Sequence, residues 1–214
     1  MNLIDRVMDV WELQQLTQRT VEHLTMFAIA LIVASIVGVM VGVIVYRRFR
    51  VATVLFNVLN IAETIPTLAL LVLLLPLLGL GMKPTIVTSI IYSILPIARN
   101  TYTGLTSVDK EHIFVAEALG LSDSEILRKV RFPLALPLIA GGIRIALVFT
   151  MGVVTLGGLI AAGGLGAPLQ TGIQLYDKDI IIVTGLWVGL LALVLDSVAG
   201  MIEHRLEVNR DGTR

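Results

Sequence analysis

The sequence predicts an all-α membrane protein with about five transmembrane helices, and three observations lead there. The 214-residue chain is 56% hydrophobic and only 15% charged, where ordinary soluble domains carry about 25% charge. Its mean hydropathy is +0.90, which means more apolar surface than one small core can hide. The apolar residues also come in long stretches nearly free of charge, matching the roughly 20 residues that a helix needs to cross a bilayer. Together these exclude an ordinary soluble enzyme and a disordered chain. Sixteen basic and sixteen acidic residues cancel, which leaves no net field to steer polyanions and excludes a free nucleic-acid binder. With no Cys the chain has no disulfide framework, thiolate zinc site, iron–sulfur cluster or Cys nucleophile.

Residues 1–23 are polar and read as an extracytoplasmic, interfacial N-terminus, with Trp11 as a candidate anchor. The first span runs from Leu24 to Tyr46 and is followed at once by Arg47, Arg48 and Arg50. A signal peptide has its basic flank ahead of a shorter apolar core, so this helix is retained. The second stretch, Val51 to about Leu78, is interrupted only by Glu63 and holds Pro66 and Pro76; it reads as one long or kinked helix with its tip near Gly79–Lys83. The third runs from Pro84 to about Ser107, the fourth from Leu138 to about Ala162, and the last from Ile180 to about Gly200. Residues 24–200 thus form the transmembrane domain and 201–214 a cytoplasmic tail.

Five spans place the termini on opposite sides, and the distribution of basic residues chooses which. With the N-terminus outside, Arg47, Arg48, Arg50, Lys110, Arg128, Lys129, Arg131, Arg205, Arg210 and Arg214 lie inside. Only Arg6, Arg19, Lys83 and Lys178 then lie outside, which favours N-out and C-in. Between Gly163 and Asp179, the segment carrying Gly163, Gly164 and Gly166 looks too Gly-rich and polar for a regular helix. It is expected either at the outer mouth of a pathway, where irregular backbone is shielded, or as an ordinary outer loop. Gly38-x-x-x-Gly42 and Gly185-x-x-x-Gly189 are candidates for close helix contact, because lipid tails supply no hydrophobic drive for helix association.

The inner loop, residues 108–133, carries the most information. Asp109 is placed to cap a short helix with Glu111 in its first turn, Ile113 and Ala116 lie on one stripe beside Glu117, and Gly120 ends it. Ser122 or Ser124 then starts a second helix with Ile126, Leu127 and Val130 on one side and Arg128, Lys129 and Arg131 on the other. Pro133 is expected to stop it. Two short amphipathic helices on the inner side form a docking surface.

This loop resembles that of the permease subunits of bacterial ABC importers, whose pattern is Glu-Ala-Ala, three residues, Gly, nine residues, Ile, one residue, Leu-Pro. The likeness runs from Ala116 through Gly120 to Val130, Phe132 and Pro133, with Pro133 thirteen residues after Gly120 as the pattern requires. Phe114 and Val115 stand where the family has Glu-Ala, and an acid appears instead at Glu117. Phe114, Ala116, Glu117, Ala118, Gly120, Leu121, Val130, Phe132 and Pro133 are the residues to which the resemblance assigns ATPase coupling. Further strings extend it over roughly residues 24–200: 64–70 (TIPTLAL), 95–104 (LPIARNTYTG), 132–137 (FPLALP), 141–144 (GGIR) and 162–166 (AGGLG). These look like the osmoprotectant branch, the permeases for glycine betaine, carnitine, choline or proline betaine.

The resemblance implies a type I importer permease fold in the bacterial cytoplasmic (inner) membrane. It also implies a second permease subunit, identical or paralogous, two cytoplasmic ATP-binding subunits docked on the inner loops, and an extracytoplasmic substrate-binding protein. Closure of the ATPases would switch the pathway from inward-open to outward-open. No cofactor is expected on this chain: it has no G-x-x-x-x-G-K-[ST] phosphate loop, so ATP and Mg belong to the partner ATPase.

Four charges fall inside proposed spans: Glu63, Arg99, Arg144 and Asp196. An unpaired charge at the bilayer centre costs about 2.5–3.5 kcal/mol on insertion scales. Glu63, next to Pro66, either faces the pathway and meets a cationic substrate or pairs with an Arg; Arg99, Arg144 and Asp196 read first as interhelical ion pairs. Aromatic residues, which hold quaternary ammonium groups best, are 6% of the chain and scattered, as an interfacial belt or packing would leave them. His23, His112 and His204 all fall outside the proposed spans, which argues against a metal site or an intramembrane His enzyme. The rival functions are a methionine or other amino-acid importer permease and a secondary transporter with Glu63 as proton relay.

Overall fold

The computed structural model describes residues 2–211, and among them every regular element is helical. A short amphipathic helix α1 (Leu3–Leu13) precedes α2 (Leu16–Val45), α3 (Phe49–Thr64), α4 (Thr67–Leu78) and α5 (Met82–Thr106). Two short helices follow, α6 (Lys110–Ala118) and α7 (Asp123–Ile126), then the long α8 (Phe132–Gly157), α9 (Gly166–Leu175) and α10 (Lys178–Asp211). Three helical stretches, Leu16–Val45, Asp123–Ile160 and Lys178–Val208, are long and apolar enough to cross a membrane, and the bent pair α3–α4 makes a fourth.

Helix α5 lies between α2 and α8 and organises the bundle. On one side, Gly38 and Gly42 of α2 let the two backbones close: a Cβ on Gly38 would sit 2.7 Å from Ile97 Cβ, and one on Gly42 2.5 Å from Thr101 Cβ. Ala30 and Ala34 continue the same four-residue ridge, fully buried, so the first Gly pair is the small-residue seam that its spacing predicts. On the other side, Gly104 of α5 meets Ala135, and Gly142 of α8 meets Asn100 and the Pro96 carbonyl. The second Gly pair does no such work within the chain. Nothing lies within 4 Å of a Cβ on Gly189, and only Leu169 approaches Gly185.

Five expectations about element boundaries need correction. Helix α2 begins at Leu16, not Leu24, and carries His23 inside the bundle, fully buried. The stretch from Val51 to Leu78 is two helices meeting at 92°, because Pro66 donates no hydrogen bond and forces Ile65 into an extended conformation (φ −68°, ψ 126°). Pro133 does not stop the inner helix. A π-helical turn at Leu127–Arg131, closed by the Phe132 N–H onto the Leu127 carbonyl, carries the chain straight into α8; the wider turn takes up the register that the proline ring disturbs. The Gly-rich segment is irregular only up to Leu165, and Gly166–Leu175 is helical. Pro168 sits in the first turn of α9, where its missing N–H is no loss. Finally, α10 runs on helically to Asp211, so most of the expected tail continues the last span; residues 212–214 lie outside the described residues.

Candidate functional site

The inner loop is built by its caps. The Asp109 carboxylate accepts from the Glu111 N–H, opening α6. At its end Gly120 adopts φ 78°, and its N–H and that of Leu121 bond back to the Glu117 and Ala116 carbonyls at 2.9 and 3.1 Å. That is a Schellman stop, for which glycine bears no Cβ penalty. Ser122 and Glu125 then form a capping box at the start of α7, extended by Lys129 on Glu125 at 2.8 Å.

Two arginines clamp this loop to the bundle. Arg47, just after α2, meets Asp123 at 2.9 Å, and that hydrogen bond pushes the guanidinium's affinity for its proton above the ordinary arginine value. Arg131 donates to the Leu105 carbonyl at 2.7 Å and lies over the Tyr46 ring at 5.8 Å. A displacement of the loop is therefore transmitted to the C-terminal ends of α2 and α5.

Ala116 and Ile126 face inward and are buried, whereas Phe114, Val115 and Leu119 are 72%, 56% and 75% exposed. Glu117, Ala118, Gly120 and Pro133 are also exposed, while Leu121, Val130 and Phe132 are half-buried. Three large apolar side chains on so short a helix leave a surface that the chain itself does not cover. A shallow apolar groove beside them runs between Val115, Leu119, Leu121 and Val130.

The charges inside the spans divide into a paired and an unpaired set. Arg144 of α8 grips Asp196 of α10 through two hydrogen bonds of 2.7 and 2.8 Å and reaches Glu203 at 3.1 Å. Glu203 escaped the sequence reading because it was placed in the tail. Its position seven residues after Asp196 puts it on the same helix face, which is the signal that was available. Glu63 pairs with neither Arg99 nor Arg144 among the described residues. Arg99 donates to Asn60 at 3.0 Å and stands over the Phe56 ring at 5.9 Å, and Glu63 Oε1 is buried with no hydrogen-bond partner among the described residues.

Glu63 lies three residues before Pro66, at the corner between α3 and α4. There the Tyr92 hydroxyl of α5 donates to the Ile65 carbonyl. Beside the corner opens a cavity of about 480 Å³ lined by Thr67, Tyr92, Phe149, Gly152 and Leu156, among others. The Gly-rich segment, by contrast, is a packing joint. Gly163 and Gly164 take φ 80° and 61°, the Gly164 N–H donates to Glu22 at 2.9 Å, and Gly166 presses directly on Gly158 and the Thr155 carbonyl.

Comparison with known proteins places this geometry. The family model described as "Binding-protein-dependent transport system inner membrane component" matches residues 34–208. The chain is 39% identical to the choline transport system permease protein OpuBB of Bacillus subtilis (strain 168), covering 90% of this chain and 88% of that one. It is 38% identical to the glycine betaine/carnitine/choline transport system permease protein OpuCB of the same organism, with the same coverage. It is also 38% identical to the osmoprotectant import permease protein OsmW of Salmonella typhimurium (strain LT2), covering 90% of each chain. Among solved structures, an inward-facing form of the MetNI methionine ABC transporter superposes with a TM-score of 0.78 at 25% identity, covering 90% of this chain and 96% of that one.

Proposed function

The chain belongs to the family of binding-protein-dependent transport system inner membrane components, and from that premise we propose that it is the permease subunit of an ATP-driven importer of osmoprotectants. The solute class is that of glycine betaine, carnitine, choline and related quaternary amines. The chain itself is a transport component and not an enzyme, and it resides in the inner membrane as a multi-pass protein.

The observation that carries the reading is the inner loop. It is doubly capped, clamped by Arg47 and Arg131 to the ends of two spans, and it presents Phe114, Val115 and Leu119 outward. A rigid lever with an uncovered apolar face suits a docked, moving ATPase. The cargo class rests on relatives at 36–39% identity, whose names specify choline, glycine betaine and carnitine.

The assembly in this reading has two permease subunits, two ATP-binding subunits and an extracytoplasmic binding protein. Five spans (α2, α3 with α4, α5, α8 and α10) run N-out to C-in, which places the loop on the cytoplasmic side with its basic residues. ATP and Mg are bound by the ATPase partner. The likeness to MetNI makes an amino-acid importer the second reading.

The test is to purify the complex through a tag on this chain, reconstitute it in lipid vesicles, and measure ATP hydrolysis and uptake with choline, glycine betaine, carnitine and methionine. Co-purification of an ATPase stimulated by a quaternary amine is expected, and stimulation by methionine alone establishes the second reading. Recovery of the chain alone, moving solute on an ion gradient, replaces both with a secondary transporter. Phe114→Ser removes the largest of the three exposed apolar side chains without touching the bundle, so it is expected to lower ATPase recovery while the variant's thermal stability is unchanged.

A further inference from the structure

We propose that the corner between α3 and α4 is a subsite for the quaternary ammonium group of the transported solute, an inference that rests on the importer reading above. Helix α3 ends at Thr64, and Ile65 and Pro66 turn the chain by 92° before α4 starts. The Tyr92 hydroxyl is spent on the Ile65 carbonyl, which fixes the Tyr92 ring at the corner.

The cavity at this corner has the chemistry of a soft cation site. Its volume of about 480 Å³ lies within the range of small-molecule pockets, about 300–1,000 Å³. Tyr92 and Phe149 contribute aromatic rings, Thr67 a hydroxyl, and no basic residue lines it. Phe149 is 46% exposed on α8, an aromatic side chain that the fold itself does not need to bury. A quaternary ammonium has no N–H to donate, so ring faces recognise it without specific acceptors. Choline, glycine betaine and carnitine share this group, so one subsite serves all three. The scatter of aromatics along the chain is thus misleading, because the fold brings residues 92 and 149 to one cavity.

Gly152 supplies the probe. A Cβ there meets nothing within 4 Å, it lines the cavity, and the chain has no other thiol. The experiment places Gly152→Cys in the reconstituted complex and follows its labelling by a small methanethiosulfonate reagent. Choline and its neutral isostere 3,3-dimethylbutan-1-ol, in which carbon replaces the nitrogen, are titrated as protectants. Choline and glycine betaine are expected to slow labelling where the isostere does not. Adding Phe149→Leu is expected to raise the protecting concentration several-fold to about thirtyfold, the span of a partly to fully desolvated cation–π contact, while Phe149→Trp retains protection.

Equal protection by choline and the isostere, or protection indifferent to Phe149→Leu, overturns the subsite and leaves the importer reading intact. Failure of the unmodified complex to import any quaternary amine overturns that reading and this one with it. Recovery of the docked ATPase with each variant checks assembly, and if Phe149→Leu fails to assemble, the choline-against-isostere difference on Gly152→Cys alone decides.

Discussion

Helices α5 and α10 have opposite characters and opposite positions. Helix α10 is strongly apolar, yet only 11% of its apolar window is buried inside the chain, with Ile182, Leu186, Leu190 and Leu193 all exposed. Helix α5 is not among the helices apolar enough to count as a span, yet Thr85, Thr88, Ser89, Ser93 and Thr101 are fully buried in it. All but one of these hydroxyls find a partner, Thr85 on Gly81, Ser89 on Thr85 and Thr101 on Ile97 locally, and Ser93 across to Thr150 of α8; Thr88 Oγ1 has none among the described residues. Hydropathy therefore reports what a helix faces and not how deep it sits. In a bilayer the helix touching lipid must be apolar all round its free face, and the helix enclosed by protein is free to be polar where its groups find partners.

The seam on α5 is the place to break this contrast hardest. Gly42→Leu drives a side chain into Thr101, where the Cβ alone would already sit 2.5 Å from Thr101 Cβ, and about 3 kcal/mol of stability is expected to go, the upper end for overpacking. Thermal unfolding of the purified protein in detergent measures it. Next comes the polar tether of α10. Arg144→Met leaves Asp196 and Glu203 without their shared cation, and because all three side chains are about one-quarter to two-fifths exposed, the loss is expected to be smaller than at the seam and well short of that of a buried pair. Combining it with Asp196→Leu is expected to recover part of that loss, and a double-mutant cycle reads the coupling.

Thr88→Val tests the interior of α5 from the other direction. Thr88 Oγ1 is buried with no partner among the described residues, so removing the hydroxyl is expected to stabilise by up to about 1 kcal/mol. The smallest effect is expected at Gly189→Leu on the open face of α10, within about 0.5 kcal/mol for the isolated subunit. A larger loss confined to the assembled complex locates a subunit contact on that face.

The same contrast explains which parts of the molecule were legible beforehand. The caps of the loop were readable, because Asp109, Gly120 and Ser122 act on neighbours two to five residues away; the choice of Ser122 over Ser124 and the partner Glu125 were not. Proline was misread in both directions. Pro66 bends the chain by 92°, far more than the kink that was one of the two alternatives, and Pro133 sits inside a helix that it was expected to end; the outcome depends on whether the surrounding backbone finds another register. The charges were visible as a set but not as pairs: Arg144 chose Asp196 and Glu203, and Glu63 was left without Arg99.

By itself the sequence determined the solvent, the helical class, the approximate spans and the capped inner loop, because each depends on composition or on contacts within one helical turn. Only the tertiary structure decided that α5 is the interior helix, that Gly38 and Gly42 form a seam while Gly185 and Gly189 face outward, and that Tyr92 and Phe149 line one cavity beside the break between α3 and α4. Those facts depend on how each helix is rotated about its axis. In lipid no hydrophobic drive sets that rotation; close packing at small residues and a few long-range polar bonds do, between residues far apart in the chain.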